Sequence, residues 1–214
     1  MRTLANVLAG VAAVLFAPAL GAQATPTRAP APAAPKSAPT ILPAAVQIAA
    51  AVMPAPAELR AGAAVLGYAA DRPGLVELRK GTNDMVCLAS NPAAARFHVA
   101  CYHKSLEPFM ARGRELRASG MAAPAADSVR SSEAKSGALK MPAHPAALYS
   151  LTGDLASFDP ATGAVTGARP LYVVYIPFAT AESTGLSATP QPTTPWIMFP
   201  GTPKAHIMFV PDMR

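Results

Sequence analysis

The chain carries none of the short signatures that mark the common enzyme classes. It has no Gly-x-Ser-x-Gly elbow, no His-Glu-x-x-His pair, no phosphate-binding loop and no Gly-x-Gly-x-x-Gly turn. These absences remove the sequence grounds for a serine hydrolase, a zincin, a nucleoside triphosphatase or a dinucleotide enzyme. Aromatic residues make up 6% and charged residues 14% of the chain, and no basic patch with interleaved aromatics occurs. The formal charge is +6, but Arg2, Arg28 and Lys36 lie in the first 40 residues, where there is no acid, which leaves +3 for the rest. An excess that small is ordinary solvation, so a nucleic-acid partner is not expected. There are no internal repeats and only two cysteines.

What is present begins with a leader. Met1 and Arg2 supply a short positive start, Leu4 to Leu20 is apolar apart from Asn6, and Ala22-Gln23-Ala24 places small residues before Thr25. That pattern predicts a signal peptide over 1–24. The run is short for a membrane span, Pro18 interrupts its end, and no cysteine follows to accept a lipid. Residues 25–40 carry five prolines and almost no large apolar side chain, a composition that predicts a disordered tether. Residues 41–214 suit one globular domain, with no membrane span once the leader is removed. The expected location is therefore periplasmic or secreted.

Export bears directly on Cys87 and Cys101. In an oxidising compartment a close pair of this kind is expected to be a disulfide, worth about 3 kcal/mol in the chain-entropy model for a loop of about 15 residues. A zinc site built from Cys87, His98, Cys101 and His103 is the alternative, and it lacks the paired Cys-x-x-Cys knuckle.

The pattern over 41–214 predicts an α+β fold: a mainly antiparallel sheet of about six to seven strands packed with two to four helices. An Ala-rich helix over 44–52 starts after Pro43, stops at Met53-Pro54, and is followed by a short AELRA turn. A meander of strands over 64–69, 75–80 and 85–89 is expected, with turns at Asp71-Arg72-Pro73-Gly74 and Gly81-Thr82-Asn83-Asp84. A fourth strand spans 96–103. Its alternation puts Phe97, Val99, Cys101 and His103 on one face and His98, Ala100 and Tyr102 on the other.

The next helix, over 106–119, is expected to have Ser105 as its cap and Gly120 past its end. Leu106, Phe109, Met110, Gly113 and Leu116 share one arc, and Gly113 near the middle predicts a close backbone approach to a sheet or loop. Arg112, Arg114 and Arg117 form no stripe. Residues 124–135 read as a surface helix without chemistry, and His144 as solvated. A hairpin follows through 147–158 and 171–178, with LYVVYIPF as a central strand. Residues 179–195 read as a long polar loop in which Thr180, Glu182 and Ser183 are better taken as solvated than as pocket-lining. Strands over 196–199 and 205–210 close the fold.

The segments LRKGTNDMVCL, FHVACYHKSLEPFMARGREL and YVVYIPFATAESTGL together resemble a family of uncharacterised exported bacterial proteins, over most of the domain. The resemblance implies secretion and a shared fold, and no chemistry. Two function classes follow. One is a non-catalytic exported module that binds a small molecule, a cell-envelope component or a partner protein. The other is a small metal-dependent or His/Glu hydrolase using His103 at a strand end, Glu107 in the next helix and His206 opening the last strand. For that constellation a structural use is the simpler expectation: Glu107 suits a helix N-terminus, and His103 satisfies backbone groups at the junction.

If the leader reading holds, intact-mass measurement of protein recovered from the envelope or medium will give a chain starting near Thr25. A Met1 terminus there would overturn it.

Overall fold

The computed structural model describes residues 39–209. The leader and nearly all of the tether lie outside the described residues, as does the stretch after Phe209. The strands are β1 (Ala64–Ala69), β2 (Arg72–Arg79), β3 (Met85–Leu88), β4 (Phe97–His103), β5 (Ala146–Gly153), β6 (Arg169–Tyr175), β7 (Trp196–Met198) and β8 (His206–Phe209). They form one sheet in the order β2-β1-β3-β4-β5-β6-β8-β7. The helices are α1 (Ala44–Ala51), α2 (Ala57–Arg60), α3 (Glu107–Ala118), α4 (Ala123–Lys135) and α5 (Ala181–Thr184). The fold is α+β and mostly antiparallel, as its patterning predicts. It has eight strands, against the six to seven expected, and two of its helices are single turns.

The opening strands do not form a meander. β1 pairs with β2 antiparallel on one side and with β3 parallel on the other. The link from β2 therefore crosses the start of β1, held there by the Gly62 carbonyl, which accepts the N–H groups of Thr82 (2.8 Å) and Asn83 (3.0 Å). The β1–β2 turn is also tighter than expected. Ala69 pairs with Arg72, so the chain reverses at Ala70-Asp71, and Pro73-Gly74 lie inside β2 as a bulge. Position explains both residues. β2 is the outermost strand, where a missing proline N–H costs least, and Gly74 supplies the positive φ of 77° that the bulge needs.

Register divides the side chains between two faces. On one, Val65, Cys87, Val99, Cys101 and Phe97 pack beneath α1, whose Ala50 and Ala51 are small enough to let its backbone sit close to the sheet. Gln47 seats this helix on β1. Its Nε2 donates to the Tyr68 carbonyl (2.9 Å) and the Leu42 carbonyl (2.7 Å), while its Oε1 accepts the Tyr68 N–H (2.9 Å). On the other face, Tyr102, Val173, Tyr175, Met208 and Trp196 pack with Leu106 and Met110, from the entry and first turns of α3.

The entry to α3 differs from the expected cap. Lys104–Leu106 form a 3-10 turn, and the cap is His103, whose Nδ1 accepts the Ser105 N–H at 3.2 Å. The glycine signal in α3 is real, but the neighbour is a helix rather than a sheet or loop. A Cβ on Gly113 would stand 2.7 Å from Nη1 of Arg130 on α4. α4 is accordingly more than a surface helix: it buries Ala126, Arg130 and Ala134. Residues 179–195 begin with α5, capped by Thr180 and Ser183 through a reciprocal capping box, before running on as loop.

Cys87 and Cys101 face each other across β3 and β4, form a disulfide and are fully buried. Cys101→Ala should lower the thermal midpoint by roughly 6–12 °C, from about 3 kcal/mol of lost cross-link in a domain of this size. Scanning calorimetry of oxidised wild type and variant measures it. An unchanged midpoint would mean that the paired strands already hold the unfolded-state entropy the bond is credited with removing.

Candidate functional site

The three side chains singled out from the sequence are not brought together. Tyr102, Leu148, Val173 and Met208 pair across β4, β5, β6 and β8, so they share one face. His103, one residue beyond Tyr102, points to the opposite face. His206, two residues before Met208, shares the Tyr102 face. The two histidines thus stand on strands three steps apart, about 14 Å between backbones, and their rings point to opposite faces of the sheet. Among the described residues no group of three His, Cys, Asp or Glu side chains is placed to hold a metal ion.

Each of the three has a local partner. His103 caps its turn through Nδ1, also 2.8 Å from the Ser105 hydroxyl, and its Nε2 lies 3.8 Å from Asp84, which takes Lys104 at 2.6 Å. His206 is 7% exposed, with Tyr175 and Phe199 rings at 5.1 and 5.9 Å. Its Nδ1 lies 2.6 Å from the Lys204 carbonyl, so Nδ1 carries the proton and donates. Burial holds the His206 pKa below its usual value, which keeps the ring neutral near pH 7. Glu107 accepts from the Tyr102 hydroxyl and from the Arg114 guanidinium, and Arg114 also donates to Tyr102 at 2.9 Å. Burial raises the Tyr102 pKa far above the phenol range, so its hydroxyl stays protonated. Glu107 therefore acts through Arg114, fixing where that guanidinium points.

Arg114 points along the wall of a groove. The cavity, about 800 Å³, lies between the outer half of the sheet and the flank of α3. Leu75, Leu88 and Ala100 give an apolar floor, Arg114 and Arg117 stand on the helix side, and His98 and Tyr68 close the ends. Three of these groups have free hydrogen-bonding capacity among the described residues: the Arg117 guanidinium, the Tyr68 hydroxyl, and Nε2 of His98, whose Nδ1 lies 2.8 Å from Thr152 Oγ1. Burial lowers the His98 pKa, so this ring too is neutral near pH 7. Partial burial, and then the charge of Arg130, lower the Arg117 pKa, although a guanidinium stays protonated.

A second cavity of about 240 Å³ shares Tyr68 and Asn91 with the groove. It is lined by Ile41, Leu42, Pro92, Phe97, Leu155 and Phe158. It contains no charged side chain. The Phe97 and Phe158 rings stack at 5.2 Å along its side.

Behind α3 runs a separate ionic network. Arg130 is 9% exposed, lies over the Phe109 ring at 4.2 Å, and donates to the Phe109 carbonyl and to Asp127. Asp127 also accepts from Lys204 at 2.7 Å, tying α4 to the segment before β8. The sequence hides most of this. Only the spacing of Glu107 and Arg114, seven residues or two helical turns, marks them as one face. Gln47 and His98 have no local signal, because each meets its partner more than 20 positions away, and Asp127 shows only its i,i+3 pairing with Arg130 and not the tie to Lys204.

Comparison with protein-family models, curated proteins and solved structures found no match to this chain.

Partial burial pulls the Asp127 pKa up, but hydrogen bonds from Lys204 and Arg130 outweigh it and hold the carboxyl below its usual range. A carboxylate whose folded pKa is depressed stabilises the fold above its unfolded pKa, near 3.9, and that contribution is lost as pH falls through the folded value. Asp127→Asn should cost about 1–2 kcal/mol at pH 7, a figure reduced for the solvent reaching the pair, and less at pH 3, below the unfolded pKa. Urea unfolding of both proteins at the two pH values tests this. Equal differences at pH 7 and pH 3 would show that Asp127 contributes by packing and not by charge.

Proposed function

We propose that the protein is an exported, non-catalytic binding module, working in the periplasm or outside the cell, whose ligand site is the groove between α3 and the outer half of the sheet. The groove itself carries this reading. An apolar floor with a few convergent polar groups free of protein partners is the usual composition of a small-molecule site. The positioning of Arg114 by Glu107 and Tyr102 supports it, since a binding site gains when its charged groups are held before the ligand arrives. The leader pattern, the buried disulfide and the resemblance to exported bacterial proteins support the location.

The hydrolase reading needs His103, Glu107 and His206 around one cavity. With the imidazoles on opposite faces and Glu107 occupied by Tyr102 and Arg114, no observation favours it.

A thermal-shift screen of the oxidised protein against small molecules and envelope components, followed by amide chemical-shift mapping of any hit, tests the site. Perturbations should centre on Tyr68, Leu88, His98 and Arg117, and Ala118→Trp on the groove wall should abolish them. A hit whose perturbations centre on the Phe199–Lys204 segment or around His206 would overturn the assignment.

A further inference from the structure

Resting on the groove as the ligand site, the arrangement of its walls goes further and defines the chemistry of the occupant. We propose that it takes a single-chain amphiphile with an anionic head group, the head on Arg117 and the chain along the floor formed by Leu75, Leu88 and Ala100.

The head-group assignment follows from how the arginines of α3 are used. Arg112 donates to Glu133 and Glu115, and Arg114 donates to Glu107. Arg117 has no carboxylate within salt-bridge distance among the described residues, yet it lines the groove. Arg130 lies close behind it: Nη1 of Arg117 and Nη1 of Arg130 stand 3.3 and 2.7 Å from the same point above Gly113. Two guanidinium groups converge there, and Asp127, the nearby acid, is already shared between Arg130 and Lys204. An anion entering the groove at Arg117 therefore meets two adjacent guanidinium groups whose nearby acid, Asp127, is hydrogen-bonded to Arg130 and Lys204 and not to Arg117. The neutral His98 adds no competing charge.

The chain assignment follows from the floor. A compact anion such as phosphate would leave Leu75, Leu88 and Ala100 wet. An acidic peptide would bring backbone N–H and C=O groups against a floor with no partners for them. An alkyl chain carries no such groups. Its affinity should rise about fourfold for each methylene buried.

Titration calorimetry of the oxidised protein with submicellar amphiphiles of fixed chain length tests the inference. Laurate and dodecyl phosphate should both bind at least tenfold tighter than dodecyltrimethylammonium, and the tighter of the two identifies the head group as carboxylate or phosphate. Decanoate should bind roughly 15-fold more weakly than laurate, and Arg117→Gln should weaken laurate about tenfold. Equal binding of anionic, cationic and neutral dodecyl chains, all lost in Ala118→Trp, would overturn the head-group inference and leave the groove as the site. Laurate binding that survives Ala118→Trp would overturn both. No binding of any dodecyl probe would overturn the amphiphile while the chemical-shift mapping above still judges the groove.

Discussion

Eight strands spaced about 4.8 Å apart make a sheet about 34 Å across, while a helix with its side chains is about 10–12 Å wide. One layer of helix covers two or three strands. Among the described residues, one helix longer than a single turn, α1, packs on the first face, and α3 packs on the second with α4 against it. The two are staggered. α1 lies over β1, β3 and β4 on its face, and α3 over the middle and far strands on the other. Each face is therefore left with an uncovered half. On the α1 side the bare half shows Tyr149, Tyr172 and Phe209 in register across β5, β6 and β8, the last two each 38% exposed. On the α3 side the bare half is the floor of the groove. The cavity is what remains when a wide sheet is given too few helices.

β4 is the strand that both half-cores share. Its Phe97, Val99 and Cys101 belong to the α1 core and its Tyr102 to the α3 core, all of them buried. Each side is also clamped. On one, the disulfide joins β4 to β3; on the other, the Tyr102–Glu107–Arg114 contacts join β4 to α3. The clamps differ in kind. The disulfide acts on the unfolded chain by limiting its freedom, whereas the ionic contacts act only in the folded state and must repay the desolvation of two charges. Such a network adds little net stability, and its effect is to fix one orientation of the helix and of the guanidinium it carries.

Local chemistry was legible in the sequence, and long-range chemistry was not. Pro43 and the alanines after it, the alternation of Phe97 to His103, the Gly120 stop and the β-branched run ending at Tyr175 each act over a few residues, and each gives the element it predicts. The cysteines were readable because the leader pattern makes an oxidised pair the expectation for two nearby thiols. The parallel pairing of β1 and β3 was not, since nothing in either strand records which side of β1 the returning chain takes. The candidate residues show the same division. His103 was correctly placed at a strand end, but the sign of its face relative to His206 depends on three intervening registers, and one residue decides it. Gly113 announced a close approach without naming Arg130, because glycine reports space and not the identity of what fills it.

That last pairing also explains why one arginine of α3 is left over. Arg130 enters the space that Gly113 vacates and takes Asp127 with it, and Lys204 takes the other carboxylate oxygen. Had residue 113 carried a side chain, the Arg130 guanidinium would be displaced from its seat over Phe109. With Gly113 in place, the Arg117 and Arg130 guanidinium groups both reach the space above it, and Asp127 pairs with Arg130 and Lys204 but not with Arg117. A last-turn arginine suits the helix macrodipole, so its presence alone says little. Its isolation says more, because α3 supplies counterions to Arg112 and Arg114 from its own turns and from α4, and provides none where the groove begins. The positive end of the groove is thus set by the same glycine that lets α3 and α4 meet.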